Sequence, residues 1–372
     1  MKKNLIMLII FSVLSTTLIS CSEYNDLSTN GMNNIEDNLT YAGEEHYKKI
    51  LANNIKVDAE VNIPKVEEIN VINAKFKSFD VIKFKEVFLN GKEITEEKFN
   101  EGDKYSSLTN FTTNDERLTI KDMEGVDFAK KRESEIFSLL GALVESQAVD
   151  IELSDNDLNF AGKEEVKYEI YNLLEGLDIK SIDEESFQVK SLDNETIKEL
   201  CNIAKEMQLG KGKFNYEPSG EDEAYYFTIK NKLHNIPLIS EDLSLETTNY
   251  GYYSTNITGC YTDKGLAYIK INNIYQEESI KDEANVITVD QALEAVKNIY
   301  SNLLVKQSFI IKGISLEYVP NIISEDEGKY ELIPSYKIDV EIVTTEDKSG
   351  KEVESINNTF LYINGLTGKR II

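Results

Sequence analysis

Apolar residues along this chain recur with two different periods. Val57, Ala59 and Val61 alternate with Asp58 and Glu60, and Val71, Asn73, Lys75 and Phe76 continue the extended pattern, which predicts a pair of strands interrupted by Pro64. Ile136, Phe137, Leu140, Leu143 and Val144 are spaced three and four apart, so they share one face of a predicted helix. Val166, Ile170, Leu173, Leu174 and Leu177 form a second helical stripe, which leads into a strand-like segment through Phe187, Gln188 and Val189. A third helix is predicted after the capping residue Asp193, with Ile197, Leu200, Cys201, Ala204 and Met207 on its apolar side and the loop around Gly210, Gly212 and Gly220 ending it.

Aromatic strands follow. Residues 225–229 and 236–239 flank a turn-like stretch at 230–235, and Tyr268–Ile271 follow Gly265, which reads as an antiparallel meander. Thr288 with Gln291 three residues later has the spacing of a capping box. Behind it Val289, Ala292, Leu293, Val296, Ile299, Tyr300, Leu303 and Leu304 make the clearest amphipathic helix of the chain. The strands 309–311, 314–318, 336–342 and 360–363 come next. Their alternation puts Ile314, Leu316, Tyr318, Tyr336, Ile338, Val340 and Ile342 on one face. The expected fold class is therefore α+β, with antiparallel sheets each covered by one or two helices.

The first twenty residues belong to a different regime. Lys2 and Lys3 precede the run Leu5–Phe11, then Val13 and Leu14, and the stretch closes on Leu18, Ile19, Ser20 and Cys21, the layout of a secretory leader. The ending resembles the lipobox of bacterial lipoproteins through Leu18, Ser20 and Cys21, which implies cleavage before Cys21 and a diacylglyceryl group on its thiol. The alternative is a transmembrane anchor with an incidental cysteine. Ser12, Ser15, Thr16 and Thr17 break the run, which falls short of the ~20 apolar residues of a span. Two acyl chains hold a protein stably at a bilayer surface where one does so only marginally. The expectation is a cell-membrane lipoprotein anchored on the extracytoplasmic face.

Charge narrows the partners. The chain carries 40 Lys plus Arg against 66 Asp plus Glu, and loss of Lys2 and Lys3 with the leader leaves 38 against 66, a net charge of −28. Such a surface repels nucleic acid and anionic headgroups, and it favours solubility and cationic partners. About 350 residues after processing exceed what one hydrophobic core usually serves. The expected organisation is a signal peptide over 1–20, a flexible tether over 21–50, and three α+β domains over 51–155, 156–285 and 286–372. Cys201 and Cys260 lack metal-ligand spacing. Cys201 reads as a buried thiol, and a Cys201–Cys260 disulfide stays open as an extracytoplasmic alternative.

The stretch from about residue 286 to 372 resembles PepSY-type modules and the related extracytoplasmic regulatory lipoproteins of the YycH/YycI kind. The likeness lies in the helix from Thr288 to Leu304, the strand ending Leu316-Glu317-Tyr318-Val319-Pro320, the Pro334-Ser335-Tyr336 strand and the closing turn Asn364-Gly365-Leu366-Thr367-Gly368. It departs from the usual pattern in having no Trp after the proline. The chain as a whole is similar to uncharacterised lipoproteins of low-GC Gram-positive, clostridial-type bacteria grouped as a domain of unknown function. The resemblance implies a PepSY-like helix-on-sheet at the C-terminus and a role in restraining a peptidase or touching a sensor kinase outside the membrane.

The inventory of reactive side chains is sparse. His46 and His234 are the only histidines, too few for a multi-histidine zinc site, and no Gly-x-Ser-x-Gly elbow accompanies them. Gly210-Lys211-Gly212-Lys213 lacks the frame that cradles phosphate, and Asp155-Asn156-Asp157 lacks the Gly and distal Glu of a calcium loop. No cofactor, metal or catalytic residue is therefore expected, and Cys21 is the one assigned site. The expected function is a non-enzymatic binding or regulatory module for a cell-surface protein or peptide. The alternative is a carboxylate-dependent surface hydrolase, because a working pair of acids could be hidden among 66 carboxylates.

Overall fold

The computed structural model describes residues 46–100, 107–122, 124–130, 153–206, 222–239, 255–301, 307–324, 328–347 and 352–371. The predicted helix around 136–144, the glycine loop at 210–220 and Cys21 lie outside them. In chain order the elements are β1 (His46–Ala52), β2 (Ile55–Asn62), β3 (Asn70–Phe76), α1 (Val81–Leu89), β4 (Glu96–Asn100), β5 (Leu108–Thr112), β6 (Glu116–Lys121), β7 (Gly125–Lys130), α2 (Lys163–Gly176), β8 (Ile182–Leu192), α3 (Asn194–Glu206), β9 (Ala224–Leu233), β10 (Ile236–Pro237), β11 (Ile257–Thr262), β12 (Gly265–Ile271), β13 (Tyr275–Glu283), α4 (Val289–Ser301), β14 (Gln307–Ser324), β15 (Lys329–Asp347) and β16 (Glu352–Asn364).

The α+β expectation does not hold. Of the described residues 56% are strand and 19% helix, in four helices, so the chain is a β-rich fold built on two large sheets. The first sheet runs β1-β2-β14-β15-β3-β13, with β16 also on β15; the second runs β10-β9-β11-β12-β7-β6-β5-β4, with β8 also on β9. Nor is the C-terminal stretch a self-contained helix-on-sheet unit. β14 pairs in parallel with β2, and β15 pairs with β3 at one end and with β16 along the rest of its length. The strands β2 and β3 on either side of Pro64 both belong to this sheet, but they are not neighbours.

Local chemistry explains where the helices start. Asp80 caps α1 by accepting from the backbone N–H of Ile82 and Lys83, and Asp193 caps α3 by accepting from Thr196 at 2.8 Å. Thr288 and Gln291 close the reciprocal box at α4: the Gln291 side chain accepts from the Thr288 N–H at 2.8 Å, and Thr288 Oγ1 accepts from the Gln291 N–H at 3.2 Å. The α4 stripe then buries Val289, Ala292, Leu293, Val296 and Tyr300 in the core of the first sheet, with Tyr300 stacked on Phe309 at 4.1 Å between ring centres. Ile314, Leu316, Tyr318, Tyr336, Ile338 and Val340 all lie in that core, as their alternation predicts, with Ile342 at its margin.

The second sheet is covered on both faces. Its inner face carries Leu118, Ile120, Val126, Phe128, Tyr225, Phe227 and Ile269 against Phe84 and Phe88 of α1 and Val166, Ile170 and Leu174 of α2. Its opposite face carries Tyr226, Cys260 and Ala267 against Ile197, Leu200, Cys201 and Ala204 of α3. The turn between β9 and β10 is narrower than predicted. Only His234 and Asn235 lie outside the ladder, both with positive φ (49° and 62°), as a two-residue hairpin turn requires. Past β10 the backbone reaches the first sheet, where the Ile239 N–H donates to the Tyr318 carbonyl at 3.1 Å. The two sheets are thus joined by main chain.

Candidate functional site

On the inner face of the second sheet the side-chain alternation runs from apolar to polar at one end. In β6 the inward residues are Ile120, Leu118 and then Glu116; in β7 they are Val126, Phe128 and then Lys130. Glu116 and Lys130 are direct partners in the β6–β7 ladder. Next to them the end of β11 supplies Tyr261, which pairs with Leu266 at the start of β12. The end of α1 and the middle of α2 close over this edge, leaving an open cleft of about 310 Å³ lined by Phe88, Lys92, Glu116, Phe128, Lys130, Glu169, Leu173, Tyr261 and their neighbours. Phe88 and Phe128 stack at 4.7 Å and form its apolar floor.

Glu116 is the most confined charge in the cleft. Its side chain is 6% exposed, whereas Lys92, which ion-pairs with its Oε1, is 43% exposed. The other oxygen, Oε2, is buried and has no hydrogen-bond partner among the described residues. Its backbone is pinned by the β5–β6 turn: Thr113 Oγ1 accepts from the Glu116 N–H at 2.9 Å, and the Thr113 N–H donates to the Glu116 carbonyl at 2.9 Å. An unanswered buried acceptor costs about 1–3 kcal/mol, more when charged, so Glu116 is a local cost to stability that its ion pair with Lys92 offsets in part.

The remaining polar groups are held in place by their neighbours. The Tyr261 hydroxyl donates to Glu169 Oε2. Burial pushes the Tyr261 phenol up to about 12, with the Glu169 hydrogen bond and the charges of Glu169 and Glu165 adding to it, so at neutral pH it is a fixed donor and not a base. Lys130 Nζ donates to the Lys264 carbonyl at 2.8 Å. Among the described residues, neither Lys130 nor Glu169 has an ion-pair partner.

The residues singled out in the sequence lie elsewhere and are not brought together. His46 opens β1 and meets Asp58 at 2.5 Å; His234 sits in the β9–β10 turn and meets Glu277 at 2.6 Å. Asp155 faces Lys190 and Lys163, which hold its carboxyl below the usual range, the Lys190 hydrogen bond most of all, and Asp157 accepts from the Lys163 N–H. These contacts make a tie between β8 and α2. Cys201 and Cys260 are both buried in the small cluster under α3. Among the described residues no group of three or more His, Cys, Asp or Glu is placed to hold a metal ion.

The cleft residues had a sequence signature. In Glu116-Arg117-Leu118-Thr119-Ile120 the carboxylate occupies an inward position of a period-two pattern, and Lys130 does so in Val126-Asp127-Phe128-Ala129-Lys130. An acid and a base in phase with apolar residues mark charged groups on a buried face. Glu169 likewise borders the α2 stripe between Val166 and Ile170.

No protein-family model and no curated protein matches the chain. Among solved structures it is similar to an uncharacterized protein from Eubacterium rectale ATCC 33656, with a TM-score of 0.66 at 13% identity, covering 92% of this chain and 99% of that one. At that identity the likeness concerns the fold, and the two-sheet, β-rich architecture is what the two chains have in common.

Proposed function

We propose that this chain is an extracytoplasmic lipoprotein, acylated on Cys21 and held at the cell membrane, that acts as a non-enzymatic binding or regulatory module for a cell-surface protein or peptide. The observation that carries the binding reading is the cleft at the edge of the second sheet, where Lys130 and Glu169, neither with an ion-pair partner among the described residues, stand beside a stacked aromatic floor. Few polar groups converging on an apolar concavity are the usual composition of a ligand site. Glu116, Lys130 and Tyr261 sit on strands and Glu169 on a helix, so these groups are organised before a ligand arrives.

The second reading, a carboxylate-dependent hydrolase, draws on the fact that two glutamates, Glu116 and Glu169, line one cleft. Binding is favoured because Glu116 already shares an oxygen with Lys92 and Glu169 already accepts from a tyrosine held as a donor, which leaves neither poised against a water or a nucleophile.

The test is crosslinking on intact cells from a photoreactive residue placed at Val87, on the exposed rim of the cleft. The binding reading expects a discrete surface protein or peptide to be captured intact, and less of it when Lys130→Gln is introduced. Captured species that are cleavage products in the wild type but intact in Glu169→Gln would favour the hydrolase instead.

A further inference from the structure

The first sheet is covered unequally. Ile55, Val57, Phe309, Ile311 and Val340 point into the core beneath α4. Their neighbours along each strand point the other way, and there the register sets five residues side by side across five strands: Ile50 of β1, Lys56 of β2, Ile310 of β14, Glu341 of β15 and Asn358 of β16. Val343 and Ile356 are paired on the same face two residues further along β15 and β16. Among the described residues none of these belongs to a buried cluster: Ile50 is 74% and Ile356 60% exposed, and Ile310 and Val343 are half-buried. Lys56 and Glu341 flank Ile310, and among the described residues neither has an ion-pair partner. With β14 between them their strands lie about 10 Å apart, too far for the two to pair within one chain.

We propose that this face joins two copies of the chain, sheet against sheet, about a two-fold axis that runs along β14. Turning a copy about that axis lays β14 over β14 and exchanges the two sides of the face. Lys56 then meets the second copy's Glu341, Glu341 meets the second copy's Lys56, Ile310 packs on Ile310, and Ile50 lies over Asn358. Twisted sheets packed face to face cross at about 30°, so the contact is closest around Ile310 and opens towards the corners. One step along the strands the arrangement sets Asp58 opposite Asp339, but each has a cation of its own: His46 and Lys48 on Asp58, and Lys337 on Asp339. The face is separate from the cleft of the second sheet, and the inference does not depend on what the cleft does.

Charge complementarity selects the occupant. A cationic peptide answers Glu341 and leaves Lys56, and an anionic headgroup or nucleic acid answers Lys56 against the repulsion of a chain with net charge −26. A second copy carries an acid and a base on the two sides of an apolar residue at the required spacing, because it presents the same face, and a two-fold interface must be self-complementary in this way. Size sets the strength. Five strands and some six residues of each span about 24 Å by 20 Å, so about 1000 Å² is buried in total, the lower end for a specific interface. The dimer is therefore one of modest affinity.

The experiment is crosslinking of the full chain in intact cells with a short, membrane-permeant bismaleimide. Ile310 lies on the axis, so Ile310→Cys is expected to give a covalent dimer at least tenfold above the wild type, whose Cys201 and Cys260 are buried. It is also expected to exceed Ile280→Cys, a 50% exposed position on β13 away from this face. In the Ile310→Cys background Lys56→Glu is expected to cut the dimer tenfold or more by setting two carboxylates opposite one another. Glu341→Lys should do the same with two ammonium groups, and the two reversals together should restore the dimer. Loss in each single reversal with recovery in the double is a pattern that a folding defect does not produce. Where Ile310→Cys folds poorly, Ile50→Cys combined with Asn358→Cys replaces it: the two are four strands, about 19 Å, apart in one chain and meet only between copies. A dimer yield from Ile310→Cys no higher than from Ile280→Cys overturns the inference. So does crosslinking to a protein of another mass, or a dimer indifferent to both charge reversals.

Discussion

Glu116 and Lys130 are direct cross-strand partners on β6 and β7, but each turns to a different group: Glu116 Oε1 to Lys92 from beyond the end of α1, Lys130 to the carbonyl of Lys264. The divergence puts the burden of Glu116 on a single, half-exposed lysine. Lys92→Met should therefore destabilise the chain by about 1–3 kcal/mol, because it leaves a buried carboxylate with no cation. Adding Glu116→Leu to it should recover most of that loss, since removing both members of a buried pair is far milder than removing one. Urea melts of the two variants and the wild type check this. Equal stability of single and double variants would mean that Lys92 does not support Glu116.

Alkaline titration reports on Tyr261. Its phenol is raised above the ordinary value of 10.0 to about 12, so the proton is bound more tightly in the folded chain than in the unfolded one. The sign follows: the stabilising contribution is complete below pH 10 and is lost as the pH rises towards 12. Tyr261→Phe should flatten the part of the stability curve that lies in that window while changing little at neutral pH. Melting curves across the window, with phenolate absorbance as a second signal, would show whether the slope stays the same and so contradict the placement.

The α4 helix offers a test of packing. Leu293 is fully buried against the first sheet, and Leu293→Ala should cost about 2–5 kcal/mol through lost contact and the cavity left behind. Thr288→Ala, which removes the capping hydroxyl, should cost about 1 kcal/mol. Chemical denaturation ranks the two. A smaller effect for Leu293→Ala than for Thr288→Ala would show that the helix is not anchored through its stripe.

Helices were more legible in this sequence than sheets. The α2, α3 and α4 stripes and the caps at Asp193 and Thr288 could be read because a 3.6-residue period over a dozen positions is distinctive. The strands were read too short, and that produced the α+β expectation. β13 (Tyr275–Glu283) carries three glutamates, an aspartate and a lysine, and β16 begins with Glu352, Val353, Glu354 and Ser355, so both resemble solvated loop. As strands at or near a sheet edge with a wet face they need few apolar residues. The order of strands was not legible either. The pairing of β14 with β2 brings together positions some 250 residues apart, and no local pattern records such a contact. The cleft was missed for a related reason: its inward acid and base stand in the alternation of β6 and β7, but their convergence with Tyr261 and Glu169 exists only once four strands and two helices are aligned.

Localisation is testable apart from the fold. If Cys21 carries the acyl group proposed above, the Cys21→Ala variant should leave the tightly held membrane fraction while melting at the same temperature as the wild type. Fractionation in which the variant stays as firmly bound as the wild type would exclude Cys21 as the anchor.

Whether the cleft binds or cleaves is decided most directly by crosslinking on intact cells from a photoreactive residue at Val87, in the wild type and in Glu169→Gln, with the captured species sized in each. A binding site predicts that one discrete surface protein or peptide is captured intact from both. The contrary result is a set of cleavage products captured from the wild type that are captured intact in Glu169→Gln, with the melting temperature unchanged.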